Sequence, residues 1–243
     1  MNNGFLHVGW MGPLVLALTI LPSCTTMPVS GPQEPNLYSS AIMDAAVASP
    51  EKERVLQPLP NTTTVKVVTW TNGLPCGTGV THCNTWDKGR LWVTLAGEVQ
   101  ALCKSWGLQG DGLRNRLEQL LGLPLNPPKP KTLFVELEVP RKNLNRPCLE
   151  ADEGDGSKPK CKYISTGSSW TTLQNFVMQQ MATSYTDGGT SPGYPFTRLG
   201  YTYDWNPKAE EKGHYGASEF VIDPSTPVQT LGSYATDEYC KNP

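Results

Sequence analysis

Residues 194–207 read YPFTRLGYTYDWNP. From Leu199 onward, Leu199, Tyr201, Tyr203 and Trp205 alternate with Gly200, Thr202 and Asp204. That period of two predicts a strand. The connector NPKAEEKGHYG follows, polar and without an apolar stripe, and then a second run, Ala217–Ile222 (ASEFVI). The pair predicts a hairpin with a long loop. Large rings at alternate positions suit a packed, pleated face, so most of them are expected in the core. The competing expectation is a partly exposed platform for a glycan or peptide. It would use Tyr201, Tyr203 and Trp205, with Asp204, His214 and Glu219 beside them.

Upstream, Val65–Trp70 (VKVVTW) and Leu91–Leu95 (LWVTL) read as strands by β-branched and aromatic content. In Leu133–Val139 (LFVELEV), Leu133, Val135, Leu137 and Val139 alternate with Phe134, Glu136 and Glu138, predicting one buried face and one mostly polar face. Three stretches read as helices. Gly97–Trp106 places Val99, Leu102, Cys103 and Trp106 on one side. In DGLRNRLEQLLG, Asp111 is a candidate cap, Leu113, Leu117, Leu120 and Leu121 form a stripe, and Gly122 is the stop. Ser169–Tyr185 has Ser169 as its expected cap and Trp170, Leu173, Val177 and Met181 as its core-facing stripe. The fold class expected is α+β: an antiparallel or mixed sheet with about three helices, stapled by disulfides.

The cysteines set the compartment. There are seven, at 24, 76, 83, 103, 148, 161 and 240. Setting Cys24 aside leaves an even number, which in an exported protein reads as a disulfide framework. The preferred pairing is Cys76–Cys83, Cys148–Cys161 and Cys103–Cys240. The first two close short Gly/Pro-rich loops and the third ties the C-terminus to the body. No CxxC pair is present, and the spacings do not match zinc sites.

The chain begins MNNGFLHVGWMGPLVLALTILPSC. Its apolar run, Met11–Leu21, is short for a membrane span and about right for a signal-peptide core. It ends in Leu21-Pro22-Ser23-Cys24, which resembles the lipobox of bacterial lipoproteins. The resemblance implies cleavage before Cys24 and lipidation of that cysteine. With Thr25 following, it also implies an outer-membrane anchor. Two or more acyl chains hold a protein stably on a membrane. The alternative is an ordinary secretory signal. The expected domains are a signal peptide (1–23), a lipidated Cys24 with a Pro-rich flexible tether to residue 60, and one globular domain (61–243). As a coil, that tether would span roughly 33 Å. The stretch YPFTRLGYTYDWNP followed by GASEFVI also resembles a motif of uncharacterised bacterial lipoproteins and secreted proteins. It implies an envelope location and no particular activity.

Several functions are excluded. Charged residues number 20 basic against 22 acidic, without a basic run, which argues against nucleic acid as a partner. HExxH, CxxCH, GxxxxGK[ST] and GxGxxG are all absent, and beyond the signal region only His82 and His214 remain. No cofactor is expected. In the 148–161 loop, Asp152, Glu153 and Asp155 suggest calcium, but Gly154 breaks the EF-hand spacing, so a solvated loop is the expectation.

Two hydrolase constellations remain as alternatives. Asp204, His214 and Ser218 supply the parts of an acyl-transfer triad, though Gly216-Ala217-Ser218-Glu219-Phe220 is not GxSxG. Glu136, Glu138, Asp204 and Glu219 supply carboxylates for a glycosidase pair. The favoured expectation is a non-enzymatic envelope component that is anchored to the membrane through its lipid and binds a protein partner. A glycan-binding module is its first alternative and an envelope hydrolase its second.

Overall fold

A computed structural model describes residues 37–73, 85–86, 89–152, 154, 156–167, 170–186 and 193–241. The lipobox, Cys24 and the expected Cys76–Cys83 pair lie outside the described residues. The strands are β1 (Thr64–Thr71), β2 (Thr85–Trp86), β3 (Leu91–Leu95), β4 (Leu133–Pro140), β5 (Leu144–Asn145), β6 (Glu150–Asp152), β7 (Lys160–Lys162), β8 (Tyr201–Tyr203), β9 (Tyr215–Ser218), β10 (Phe220–Ile222), β11 (Thr226–Pro227) and β12 (Gln229–Ala235). The α-helices are α1 (Leu37–Ala46), α2 (Ala96–Trp106), α3 (Gly110–Leu120), α4 (Thr172–Ser184) and α5 (Thr236–Lys241).

The fold is α+β. A six-stranded sheet runs β12-β4-β1-β3-β10-β5, and all its ladders are antiparallel. Both faces of its centre are buried. On one, Val65, Val67, Val93, Val135, Leu137, Val139, Phe220 and Ile222 form a single cluster. On the other, Val68, Trp70 and Phe134 pack under Val99 and Cys103 of α2, Leu113 and Leu117 of α3, and Tyr239 of α5. The polar outer face expected of β4 is therefore interrupted. Phe134 is buried, stacked on Trp70 and Tyr239, while Glu136 and Glu138 are half-buried.

Among the described residues two disulfides staple this body, both in the preferred pairing: Cys103–Cys240 joins α2 to α5, and Cys148–Cys161 closes the β6–β7 hairpin. What reads as a solvated loop is thus partly paired, with Lys162 Nζ 2.7 Å from Glu150 Oε1. Helix α4 starts later than expected. Thr171 caps it, accepting from the Gln174 amide while the Gln174 side chain accepts from the Thr171 amide. Val177 is buried, but Trp170 lies outside the helix and is exposed.

The folded body begins well before residue 61, the boundary expected from composition, because α1 and Leu56 are part of it. Tyr38, Ala41, Ile42 and Ala45 recur at helical spacing on α1 and are buried against Tyr203 and Trp205. Leu56 is buried with Leu199 and Tyr201. Proline-rich composition suggested a tether; the apolar stripe on α1 has its partner far along the chain. Helix α5 and strand β12 were also not anticipated.

Candidate functional site

The hairpin expected from residues 199–222 forms only in part. β8 pairs with β9 in a separate two-stranded ladder, with Tyr201 opposite Ser218 and Tyr203 opposite Tyr215. The chain then changes partners at Glu219, and β10 enters the main sheet between β3 and β5. At the switch the Glu219 amide donates to the Gly200 carbonyl at 3.0 Å. Gly216 allows the ladder to lie close to α3: a Cβ there would come within 2.3 Å of the Thr202 carbonyl and 2.7 Å of the Leu120 carbonyl.

The aromatic residues are core. Tyr201, Tyr203 and Trp205 are 3%, 6% and 6% exposed, which removes the stacking platform a glycan module would need. Trp205 Nε1 donates to the Leu123 carbonyl and Tyr203 Oη to Asp44, so the polar tips are spent inside the fold. Burial holds the Tyr201 phenol up at about 12.

The triad residues are not brought together. The Asp204 carboxylate receives both arms of the Arg116 guanidinium, at 2.9 and 2.6 Å. Arg116 also lies over the Trp106 ring. His214 Nδ1 donates to the Asp204 backbone carbonyl at 2.8 Å, and its ring stacks on Tyr203. The Ser218 Oγ is buried without a hydrogen-bond partner, and His214 is turned to the Asp204 carbonyl instead. Its amide donates to the Glu98 carboxylate at 3.1 and 3.2 Å. The carboxylate pair also fails to assemble. Glu138 Oε1 accepts from Thr64, Asp204 is clamped, and Glu219 is the one carboxyl among the residues lining the cavity described next.

That cavity, about 480 Å³, lies over the helix-side face of β1 and β3. The registers explain why Glu219 reaches it. Val68 pairs with Thr94, and Phe220 and Val221 pair with Val93 and Trp92, so Glu219 continues the row to the level of Thr94. Two clusters roof this face. α2, α3 and α5 cover Trp70 and Phe134; Phe176, Val177 and Phe196 cover Trp92. The cavity takes walls from both, with Trp70, Phe134, Leu121 and Leu123 on one side and Trp92 and Phe196 on the other. Gly122, at φ +66°, turns α3 off at its rim.

Charge in the cavity is uneven. Arg90 lines it, but its Nε lies 2.6 Å from Asp223 and its guanidinium lies over Phe176. Lys131 lines it too. Burial pulls the ammonium's pKa down, and the nearby Glu118 charge partly restores it. Glu219 has no such neighbour. Its Oε2 is buried without a hydrogen-bond partner, and burial alone pushes the carboxyl up to about 8.

The sequence singled out Glu219, both beside the aromatic platform and as half of a catalytic pair. It missed Trp70, Trp92 and Lys131 as cavity residues, since nothing in a strand pattern tells a covered position from one left under a gap. Among the described residues no group of His, Cys, Asp and Glu could hold a metal, and no helix is long and apolar enough to cross a membrane. Comparison with family models, curated proteins and solved structures finds no match to this chain.

Proposed function

We propose that this chain is a bacterial envelope lipoprotein, anchored through Cys24, whose domain binds a protein partner and performs no catalysis. The LPSC sequence supports the anchor, and the two disulfides accord with an oxidising compartment. The observation that carries the binding role is the apolar surface around α4. Trp170, next to the Thr171 cap, is 53% exposed, and Met178, on the outer side of the helix, is 43% exposed. Ile164 and Tyr194 are exposed at the two ends of the same helix. Gln174 ties Ser165 to the first turn, and the Tyr194 amide donates to the Ser184 carbonyl. Large apolar side chains left in water around one element mark an interaction surface.

The test is crosslinking in the intact source cell followed by capture and mass spectrometry. A stoichiometric envelope protein should come down with the wild type and be lost in Trp170→Glu combined with Met178→Lys. Recovery of the protein alone, or unchanged capture by the double variant, overturns the α4 surface as the interface. Cys24→Ala should release the chain from the membrane fraction; unchanged fractionation overturns the lipid anchor.

A further inference from the structure

The Glu219 cavity is unused by that reading. Its walls are mainly aromatic and aliphatic, with Thr69, Thr94, Gln180 and Ser184 among them; of its two cations, Arg90 is paired with Asp223 and Lys131 feels the charge of Glu118. One acceptor oxygen, Glu219 Oε2, is buried and unmatched. A buried polar group without a partner is costly, and native proteins rarely keep one without a reason. The missing complement is a hydrogen-bond donor that also carries positive charge.

We propose that this cavity is a binding site for a small primary amine on an aromatic or branched apolar body, with its ammonium donating to the Glu219 carboxylate. Aromatic rings attract cations, and Trp70, Trp92 and Phe196 are among the residues lining the cavity. The volume is that of a small-molecule pocket. A quaternary ammonium would lack the N–H that the buried oxygen needs, so a primary amine fits better. The proposal rests on the cavity and is independent of the anchor; Tyr194 borders both the cavity and the α4 surface.

Binding carries a proton balance. At neutral pH Glu219 is mostly the neutral acid. A bound ammonium requires the carboxylate, so the acid proton goes to solvent as the ion pair forms. The other titratable groups lining the cavity are Lys131, Arg90 and the phenols of Tyr194 and Tyr203. The Tyr185 phenol also feels the Glu219 charge, and burial holds it above its ordinary value. Lys131 is the control among them, because burial lowers its pKa.

The experiment is calorimetry on the full chain in detergent, with 2-phenylethylammonium chloride as the probe and 2-phenylethanol as its uncharged counterpart. Titrations in two buffers of different ionisation enthalpy read the protons released. The expected result is saturable binding with about 0.9 proton released at pH 7. Affinity should rise about tenfold from pH 6 to 7, less from 7 to 8, and level off above that. Glu219→Gln should lose at least about tenfold in affinity for the amine and all of the pH dependence, while Lys131→Met, whatever its affinity, keeps the pH dependence. Equal affinity for 2-phenylethanol, binding without proton release, or no saturable heat at millimolar amine would each overturn the proposal. The buffer comparison needs only the wild type, so a Glu219→Gln that fails to fold leaves the test intact.

Discussion

Asp204 and Glu219 sit on the two arms of the same irregular hairpin, and the structure treats them in opposite ways. Asp204 is held bidentately by Arg116, accepts from the Asn206 amide and carries His214 on its backbone carbonyl. Among the described residues no ion pair is formed by Glu219, and its Oε2 has no hydrogen-bond partner. Both are carboxyls taken out of water beside aromatic rings. The first is explained by its partner, and its removal should cost stability. The second costs stability as it stands, and that difference separates a structural acid from a candidate ligand group.

The largest effect should come from breaking the matched pair. Asp204→Ala leaves the Arg116 guanidinium partly buried and unpaired, at a cost of about 3–4 kcal/mol. Urea unfolding reads it. Replacing both partners with apolar residues should recover most of the loss, since a buried ion pair gives little net stability over good packing. If Asp204→Ala cost less than about 1 kcal/mol, the clamp would not be structural.

Glu219→Gln should act the other way. A carboxyl held at about 8 when folded, against an ordinary value near 4.5, favours folding fully only below its unfolded value. Stability is then lost as pH rises between the two, by up to about 1.4 kcal/mol per pH unit from this group. The Gln variant, which stays neutral throughout, should gain on the order of 4 kcal/mol over wild type at pH 8 and almost nothing at pH 4. Glu98 and Glu118 are also raised by burial, so part of the slope should survive. Parallel pH–stability curves for wild type and variant would mean that water or a cation reaches Glu219.

How much of this was legible in the sequence follows from which features are local. The alternation in LFVELEV gave β4, the leucine stripe gave α3, and the preferred pairing included Cys103–Cys240 and Cys148–Cys161. The rings of 201–205 belonged in the core as periodicity suggested. Both faces of that strand are closed, however, because Thr202 and Asp204 are buried too. The change of partner at Glu219 was invisible, since ASEFVI is an unbroken strand pattern and pairing partners are not written in it. Helix α1 was legible only in part: Ala41–Ala48 stands out as an apolar cluster of short-helix length, but Trp205, which its stripe packs on, is distant in sequence.

Glu98 lies between the two extremes. Its carboxylate accepts from the Ser218 amide, one residue before the switch, and burial raises its pKa against that hydrogen bond. Glu98→Ala should therefore strand a buried amide and lose about 1–2 kcal/mol. Glu98→Gln keeps an acceptor and should lose less. Amide exchange at Ser218 should speed up in the Ala variant and stay slow in the Gln variant. Equal exchange in the two would detach Glu98 from the switch.

The smallest effect belongs to Glu150, the matched carboxylate on the surface. Lys162, and then the Thr166 amide and hydroxyl, hold it down at about 2. A depressed carboxyl stabilises the fold above its unfolded value, and that contribution is lost as pH falls toward the folded one. Glu150→Gln should therefore leave the neutral-pH melt nearly unchanged, because exposed ion pairs are screened by solvent. Acid denaturation should become slightly less steep between about pH 4 and 2. Exchange at the Thr166 amide should quicken, while Cys148–Cys161 keeps the β6–β7 hairpin closed. If Glu150→Gln instead destabilised the fold at neutral pH as much as Asp204→Ala, being matched to a cation would matter more than being buried. The contrast between Asp204 and Glu219 would then say nothing about function.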